Sequence, residues 1–419
     1  MNRWFKLAFF VSLIFTLVIG CIPSYGSNKE QREKTAKIAK ENNLPIVIAL
    51  VETSASPNLF KKGAILAIDE INQSGGVLTG RLFEYLERDD QGKASIGQQI
   101  AREISQYLDV VAVIGHRYSS VAIPVSITYE KNGIVFISTG STDPMLTAHE
   151  NFYVFRNIPT DEIIGRELAK FANQQDFEKM FIIFERESYG KRLAEFFREE
   201  AETKQGITIS ATRSYHKKED NFRSLLVGAE ELDFDAILVA GGVNQATELI
   251  RQTRMMGIMQ PFMGGDSLDS QKLIGIGYDA MGTFVASVFN PNFNKQSKQF
   301  VERFKESTRK EFKEKHKIET CKYDKECKEV DKAAKCKNGY CEIEPDAKAA
   351  QGYDAVKVLA RAIENSKSTV PMDIAMALRY MEGWKGVVGS YEFLANGNIS
   401  GRGIHVKRLA AGDKFKFLK

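Results

Sequence analysis

The feature that most constrains this chain is a repeated alternation. A short apolar run is followed by a loop of glycine and small hydroxyl residues, and then by a longer stretch with helical spacing. It is clearest between residues 110 and 147. Val110 to Ile114 is apolar and ends in Gly115, Ser119 and Ser120 follow, and a helical stretch leads to a second apolar run, Ile134 to Ile137. That run again ends in small polar residues, Ser138 to Thr142, with Gly140 free to expose its backbone. Such alternation is the signature of parallel α/β construction. Ligands of doubly wound sheets sit beyond the carboxyl ends of the strands, so both loops fall where a small molecule would bind. Ser119 would stand at the start of a helix, whose unpaired N–H groups and dipole favour an anion such as a carboxylate. The plainer reading of these Ser and Thr residues is as helix caps and turn formers.

The pattern runs through the rest of the chain. Pro45 to Val51 reads as the first strand, and Leu59, Gly63, Leu66, Ala67 and Ile71 recur at helical spacing up to Ser74-Gly75-Gly76. A strand near Leu82 to Leu86 and a helix from Ala94 to Leu108 complete a first lobe over 44–158. The proline in Arg156 to Thr160 marks a crossover. A second lobe, 159–283, repeats the alternation. It has helices at Ile163 to Asn173, Gly190 to Lys204, Asn221 to Leu232 and Asn244 to Met256, and strands at Met180 to Phe184, Ile207 to Ala211, Ala236 to Ala240 and Phe262 to Gly264. Thr283 to Val288 is expected to return the chain to lobe 1 over 284–388. Gly386 to Phe393 is expected to cross back, leaving 389–419 with lobe 2, so that three crossover strands join two doubly wound parallel-sheet lobes. About 400 residues are too many for one ordinary core, which agrees with two lobes.

The first twenty residues read as a secretory signal: Arg3 and Lys6 precede the apolar run Leu7 to Val18, which is too short for an ordinary membrane span. Val18-Ile19-Gly20-Cys21 resembles a bacterial lipobox, in which Cys21 becomes a diacylated mature N-terminus, anchored without a spanning helix. Residues 21–43 are expected to form a tether, its polar and charged stretch Asn28 to Asn43 solvated, with a frayed helix as the alternative. Once Arg3 and Lys6 leave with the signal, the formal charge falls from +4 to +2, with no basic stripe to imply nucleic acid. The other four cysteines, Cys321, Cys327, Cys336 and Cys341, lie close together. In an exported chain an even set argues for two disulfides of unspecified pairing, and the C-x5-C-x8-C-x4-C spacing is no recognised zinc pattern. This Lys- and Glu-rich segment is expected to depend on its cross-links.

GHRYSS followed by ISTGSTDPMLT resembles the substrate-binding proteins of branched-chain amino-acid ABC transporters, of the leucine/isoleucine/valine type. FKKGAILAIDEINQSGGVLTG, YVFRNIPTDE, SYG and GYDAV occur in the same order as in that family. The likeness covers Leu44 to Lys419 apart from residues 313–347, which look like an insertion. It implies the type I periplasmic binding protein fold, a lipoprotein form, no catalysis, no cofactor and no bound metal. It also implies that Ser119 and Thr142 give hydroxyls to a ligand carboxylate, that the Gly140 carbonyl and Asp266 take its ammonium, and that Tyr189 closes over it from lobe 2. Asp266 stands where the family usually has a glutamate, and Gly241 to Asn244 lacks aromatic residues that some relatives place there. The loop Glu52 to Ser56 is also expected to face the cleft. The implied role is an extracytoplasmic protein, in the periplasm or at the cell surface, that captures an amino-acid-like ligand and delivers it to an ABC permease. A sensing subunit reporting to a membrane receptor, and a binder of amides, urea-like compounds or carboxylic acids, are the alternatives. Against an enzyme, no G-x-S-x-G elbow surrounds Ser119, and His116, His149, His216, His316 and His405 show no metal spacing.

Overall fold

The computed structural model describes residues 27–54, 59–149, 151–400, 404–411 and 414–418. The signal segment and Cys21 lie outside these residues, as do Ala55 and Ser56 of the first loop. Helix α1 spans Asn28–Glu41 and leads into β1, Ile46–Glu52. Helix α2 (Phe60–Gln73), β2 (Phe83–Asp89), α3 (Ala94–Ile104), β3 (Val110–Gly115), α4 (Ser119–Asn132), β4 (Val135–Ser138) and β5 (Val154–Arg156) follow. The five strands form one parallel sheet in the order β2-β1-β3-β4-β5, and every residue of β3 is buried.

The polar tether expected over residues 21–43 is not what its described part forms. Asn28–Glu41 is a helix docked on the first lobe, held there by Arg32, which at 1% exposure binds carbonyls of that lobe. Its guanidinium donates to Tyr107 O at 2.8 Å, Val110 O at 2.6 Å and Ser105 O at 3.2 Å. Burial pushes its pKa down to about 10.

The chain then builds the second sheet from α5 (Asp161–Gln174), β6 (Lys179–Glu185), α6 (Ser188–Lys204), β7 (Thr208–Tyr215), β8 (Ala236–Ala240), α7 (Val243–Met255), β9 (Phe262–Gly264) and β10 (Phe284–Ser287). The expected helix Asn221 to Leu232 is only a turn at Arg223–Leu226, stopped where Gly228 takes a left-handed φ of 69°. Strand β10 does not return to lobe 1 as expected. It pairs in parallel with β9 inside the second sheet, so the return follows it, at Val288 and Phe289, whose side chains join the first-lobe core.

Back in lobe 1 come α8 (Lys295–His316), a short helix Asp324–Lys328, the hairpin β11 (Ala334–Lys337) and β12 (Tyr340–Ile343), then α9 (Ala347–Ser366), α10 (Pro371–Arg379), β13 (Trp384–Lys385) and β14 (Ser390–Tyr391). Here too the expected crossing at Gly386 to Phe393 is displaced. Val387, Val388, Tyr391, Phe393 and Ile399 are all buried in the first-lobe core, and only then does β15 (His405–Ala410) pair antiparallel with β10, with β16 (Lys414–Phe417) on the edge. The hairpin stays because Asp354 of α9 holds it, accepting from Val387 N at 2.9 Å, Val388 N at 2.9 Å and Tyr391 Oη at 2.8 Å.

Two of the sequence fragments singled out above meet in the packing of α2 on α9. A Cβ at Gly63 would stand 1.9 Å from Ala349 O, and one at Gly352 would stand 2.5 Å from Phe60 O, so only glycine lets these backbones touch. Cysteines pair as Cys321–Cys336 and Cys327–Cys341. The insertion is held by more than its cross-links: Cys321, Cys327, Cys341, Ala334 and Ile343 are buried and continuous with the core of lobe 1.

Candidate functional site

The carboxyl ends of β3, β4, β6 and β8 face one another across a cavity of about 440 Å³, within the usual range for small-molecule sites. Four helices begin at its wall. Ser119 and Ser120 open α4, Ser188 to Gly190 open α6, Val243 and Asn244 open α7, and Lys348 is the second residue of α9. No N-cap side chain, from Tyr118, Glu187 or Gly242, caps the first N–H groups of α4, α6 or α7, which leaves these ends electropositive toward the cavity.

Of the five residues expected to hold a ligand, Ser119, Gly140, Tyr189 and Asp266 line this cavity. The Ser119 hydroxyl accepts from Ser141 Oγ at 3.2 Å and from Asp143 N at 3.4 Å. Thr142 is fully buried beneath the wall, with its hydroxyl beside the buried Asp161 carboxyl. The loop that carries these groups is fixed from behind by Arg156, fully buried, which donates to Ser141 O at 3.2 Å, Asp143 O at 2.9 Å and Thr147 Oγ1 at 2.9 Å. Burial lowers the Arg156 pKa to about 10, with Asp161 and Asp143 opposing the shift.

From the second lobe, Tyr189 donates its hydroxyl to Asp266 Oδ1 at 3.2 Å. The other oxygen, Asp266 Oδ2, accepts from Lys348 Nζ at 3.0 Å, in an ion pair whose side chains are 8% and 6% exposed. Lys348 belongs to lobe 1 and Asp266 to lobe 2, so this pair spans the cleft. Ser188 Oγ donates across it to Asp143 Oδ2, and Lys217 of lobe 2 lies over the Tyr118 ring of lobe 1 at 4.9 Å. The lobes are therefore closed on each other. Arg117, Lys93 and Lys218 add further cations to the wall, against Glu185 and Glu187. Asp161 lies close by, fully buried, and burial holds its carboxyl well above the ordinary range, with a hydrogen bond from Thr142 opposing the shift. Glu52, at the end of β1, is raised to about 7, mainly by burial, with Arg117 opposing.

Lys348, Arg117 and Asp161 were not among the sequence candidates. Lys348 carried one signal, a lone charge in the small-residue run Ala347 to Ala350. His116 is no partner for Ser119: its ring is buried between Asp90 Oδ2 and Tyr129 Oη, each at 2.9 Å.

Residues 45–317 match the periplasmic binding protein family. The chain belongs to that family. A Leu/Ile/Val-binding protein homologue of Brucella abortus is 27% identical over 373 residues, covering 86% of this chain and 88% of the relative. An ABC transporter substrate-binding protein of Desulfitobacterium hafniense, solved in complex with Leu, is 32% identical with a TM-score of 0.72, covering 89% of this chain and 100% of that one. A leucine-binding protein of Thermotoga maritima superposes with a TM-score of 0.75 at 22% identity, over 89% and 98% of the two chains, and shares the fold. These relatives are binding proteins, and the present chain is a periplasmic binding protein of the type I fold, not an enzyme. Among its described residues no helix is long and apolar enough to cross a membrane.

Proposed function

We propose that this binding protein captures a small, amino-acid-like carboxylate between its lobes and delivers it to an ABC permease, while a lipid on Cys21 holds it to the membrane. The observation that carries the reading is the convergence of Ser119 and Gly140 from lobe 1 with Tyr189 and Asp266 from lobe 2 on one enclosed cavity. Hydroxyl and helix N–H donors face a carboxylate, and contacts from the second lobe form only when the cleft shuts. Ligand thereby shifts the population toward the closed form that a permease would recognise. The relative from Desulfitobacterium hafniense, solved with Leu at 32% identity, supports a ligand of amino-acid size. Thr142 remains a proposed donor, carried two residues after Gly140 on the same buried loop.

A thermal-shift screen of the exported protein against amino acids and small organic acids tests this. Ligand at about 100 times its dissociation constant adds roughly 2.7 kcal/mol, a visible rise in melting temperature. Absence of a shift with every small carboxylate would remove the reading. Release of the protein from membranes by Cys21→Ala checks the anchor.

A further inference from the structure

The acceptor that sequence comparison reserves for a ligand ammonium is already taken. Asp266 gives one oxygen to Tyr189 at 3.2 Å and the other to Lys348 Nζ at 3.0 Å, and the protein's own ammonium is buried with it. A buried ion pair of this kind is strongly disfavoured from losing one partner, since the other would be left uncompensated. A zwitterion entering the cleft must therefore displace Lys348 from Asp266 or seek a weaker anionic partner elsewhere on the wall. Of the other lining carboxylates, Glu185 already accepts from Gly242 N at 2.8 Å, and Glu187 is half-buried at the start of α6. Asp161 is nearby, but it is fully buried and does not line the cavity.

The rest of the wall presents the opposite demand. Three helices, of 14, 17 and 13 residues, begin at the cavity without side-chain caps, and Lys93, Arg117, Lys217, Lys218 and Lys348 outnumber Glu185, Glu187 and Asp266 on its lining. With Asp266 and Lys348 neutralising each other, the remaining lining favours a guest with net negative charge.

We infer that Lys348 sets the ligand class: the cleft takes a carboxylate without an α-ammonium, and Lys348 supplies internally the cation that an amino acid would bring. This rests on the reading of the cleft as a ligand site, and it narrows that reading from amino-acid-like molecules to organic anions. Lys348 acts as a specificity residue, because it occupies the acceptor and so excludes zwitterions.

The test uses matched pairs differing only in the amino group: leucine against 4-methylpentanoate, and phenylalanine against 3-phenylpropanoate. Dissociation constants are measured by calorimetry on the exported full chain. The expected result is at least tenfold tighter binding of whichever deaminated acid fits, with the order reversed in Lys348→Met, where Asp266 is freed for a ligand ammonium. Should Lys348→Met fail to fold, Lys348→Gln keeps a hydrogen-bond donor and is expected to narrow the preference. Tighter binding of the amino acid by the parent protein, or an unchanged ratio in a folded Lys348 variant, overturns the inference and leaves the proposed function standing. No binding of any of the four compounds overturns the inference, and no shift across the wider screen removes the proposed function with it.

Discussion

Replacing Asp354 with alanine should destabilise lobe 1 by several kcal/mol. The carboxylate is fully buried and accepts from two successive backbone N–H groups, Val387 and Val388, and from the Tyr391 hydroxyl, all within 2.9 Å. A hydrogen bond to a charged acceptor contributes about 1.5–3 kcal/mol, and removing the acceptor leaves its donors unsatisfied in the core. The three bonds share one carboxylate and are not additive, which places the loss at about 3–5 kcal/mol for Asp354→Ala. Tyr391→Phe removes a single bond and should lose about 1 kcal/mol. The assay has a built-in probe: in protein prepared without residues 1 to 20, which include Trp4, the other tryptophan, Trp384, sits in the hairpin with its ring 5.2 Å from that of Tyr391. Urea unfolding followed by its fluorescence reports the lobe that Asp354 stabilises. A loss below about 1 kcal/mol for Asp354→Ala, or an equal loss for Tyr391→Phe, would refute the reasoning.

Ser119→Ala should weaken ligand binding by roughly 1–3 kcal/mol, the cost of leaving a charged acceptor short of a donor. Thr142→Val should weaken binding about tenfold, and an unchanged dissociation constant would take Thr142 out of the site. The Glu52 carboxyl, raised from 4.5 to about 7, makes the folded state bind a proton that the unfolded chain has released. Stability from this group is full below pH 4.5 and is lost as pH rises through about 7, with a loss on the order of 2 kcal/mol after allowing for the solvent contact of a half-buried group. Melting curves across that window should be flatter for Glu52→Gln, and equal slopes would count against the assignment. Each disulfide spans 15 or 14 residues, so replacing the pair Cys327 and Cys341 with alanine should lower stability by about 3 kcal/mol in urea titrations, and a reductant should then have a smaller additional effect than it has on the parent.

Much of this architecture was legible because its signals are local. The apolar run Val110 to Ile114 can only be a buried strand, and Ser119 and Gly140 follow strands whose ends must open on the cleft. Where the reading failed, the deciding contact is distant. Asn28 to Glu41 looked like a tether because its charges were taken as solvated, whereas Arg32 is spent on carbonyls more than seventy residues away. The late crossing after β14 depends on Asp354, which gives no periodicity to read. Lys348 and Asp266 are 82 residues apart, and nothing along the chain indicates that one neutralises the other. Local pattern places backbones; it does not pair charges.

The docking of α1 bears on how the molecule stands at a membrane. With the proposed acyl anchor on Cys21, only residues 22 to 27 separate the lipid from a helix fixed to lobe 1, and six extended residues reach no more than about 20 Å. That short leash attaches beside Asn132, at the end of α4 remote from the cleft, where Asn28 Nδ2 donates to Asn132 Oδ1 at 2.7 Å. Lobe 1 would then ride close to the bilayer, with the ligand mouth about one helix length, roughly 21 Å, from the point of attachment. Such a body would drift in the plane of the membrane with its lipid, and the short leash would limit the orientations in which its mouth meets an embedded partner.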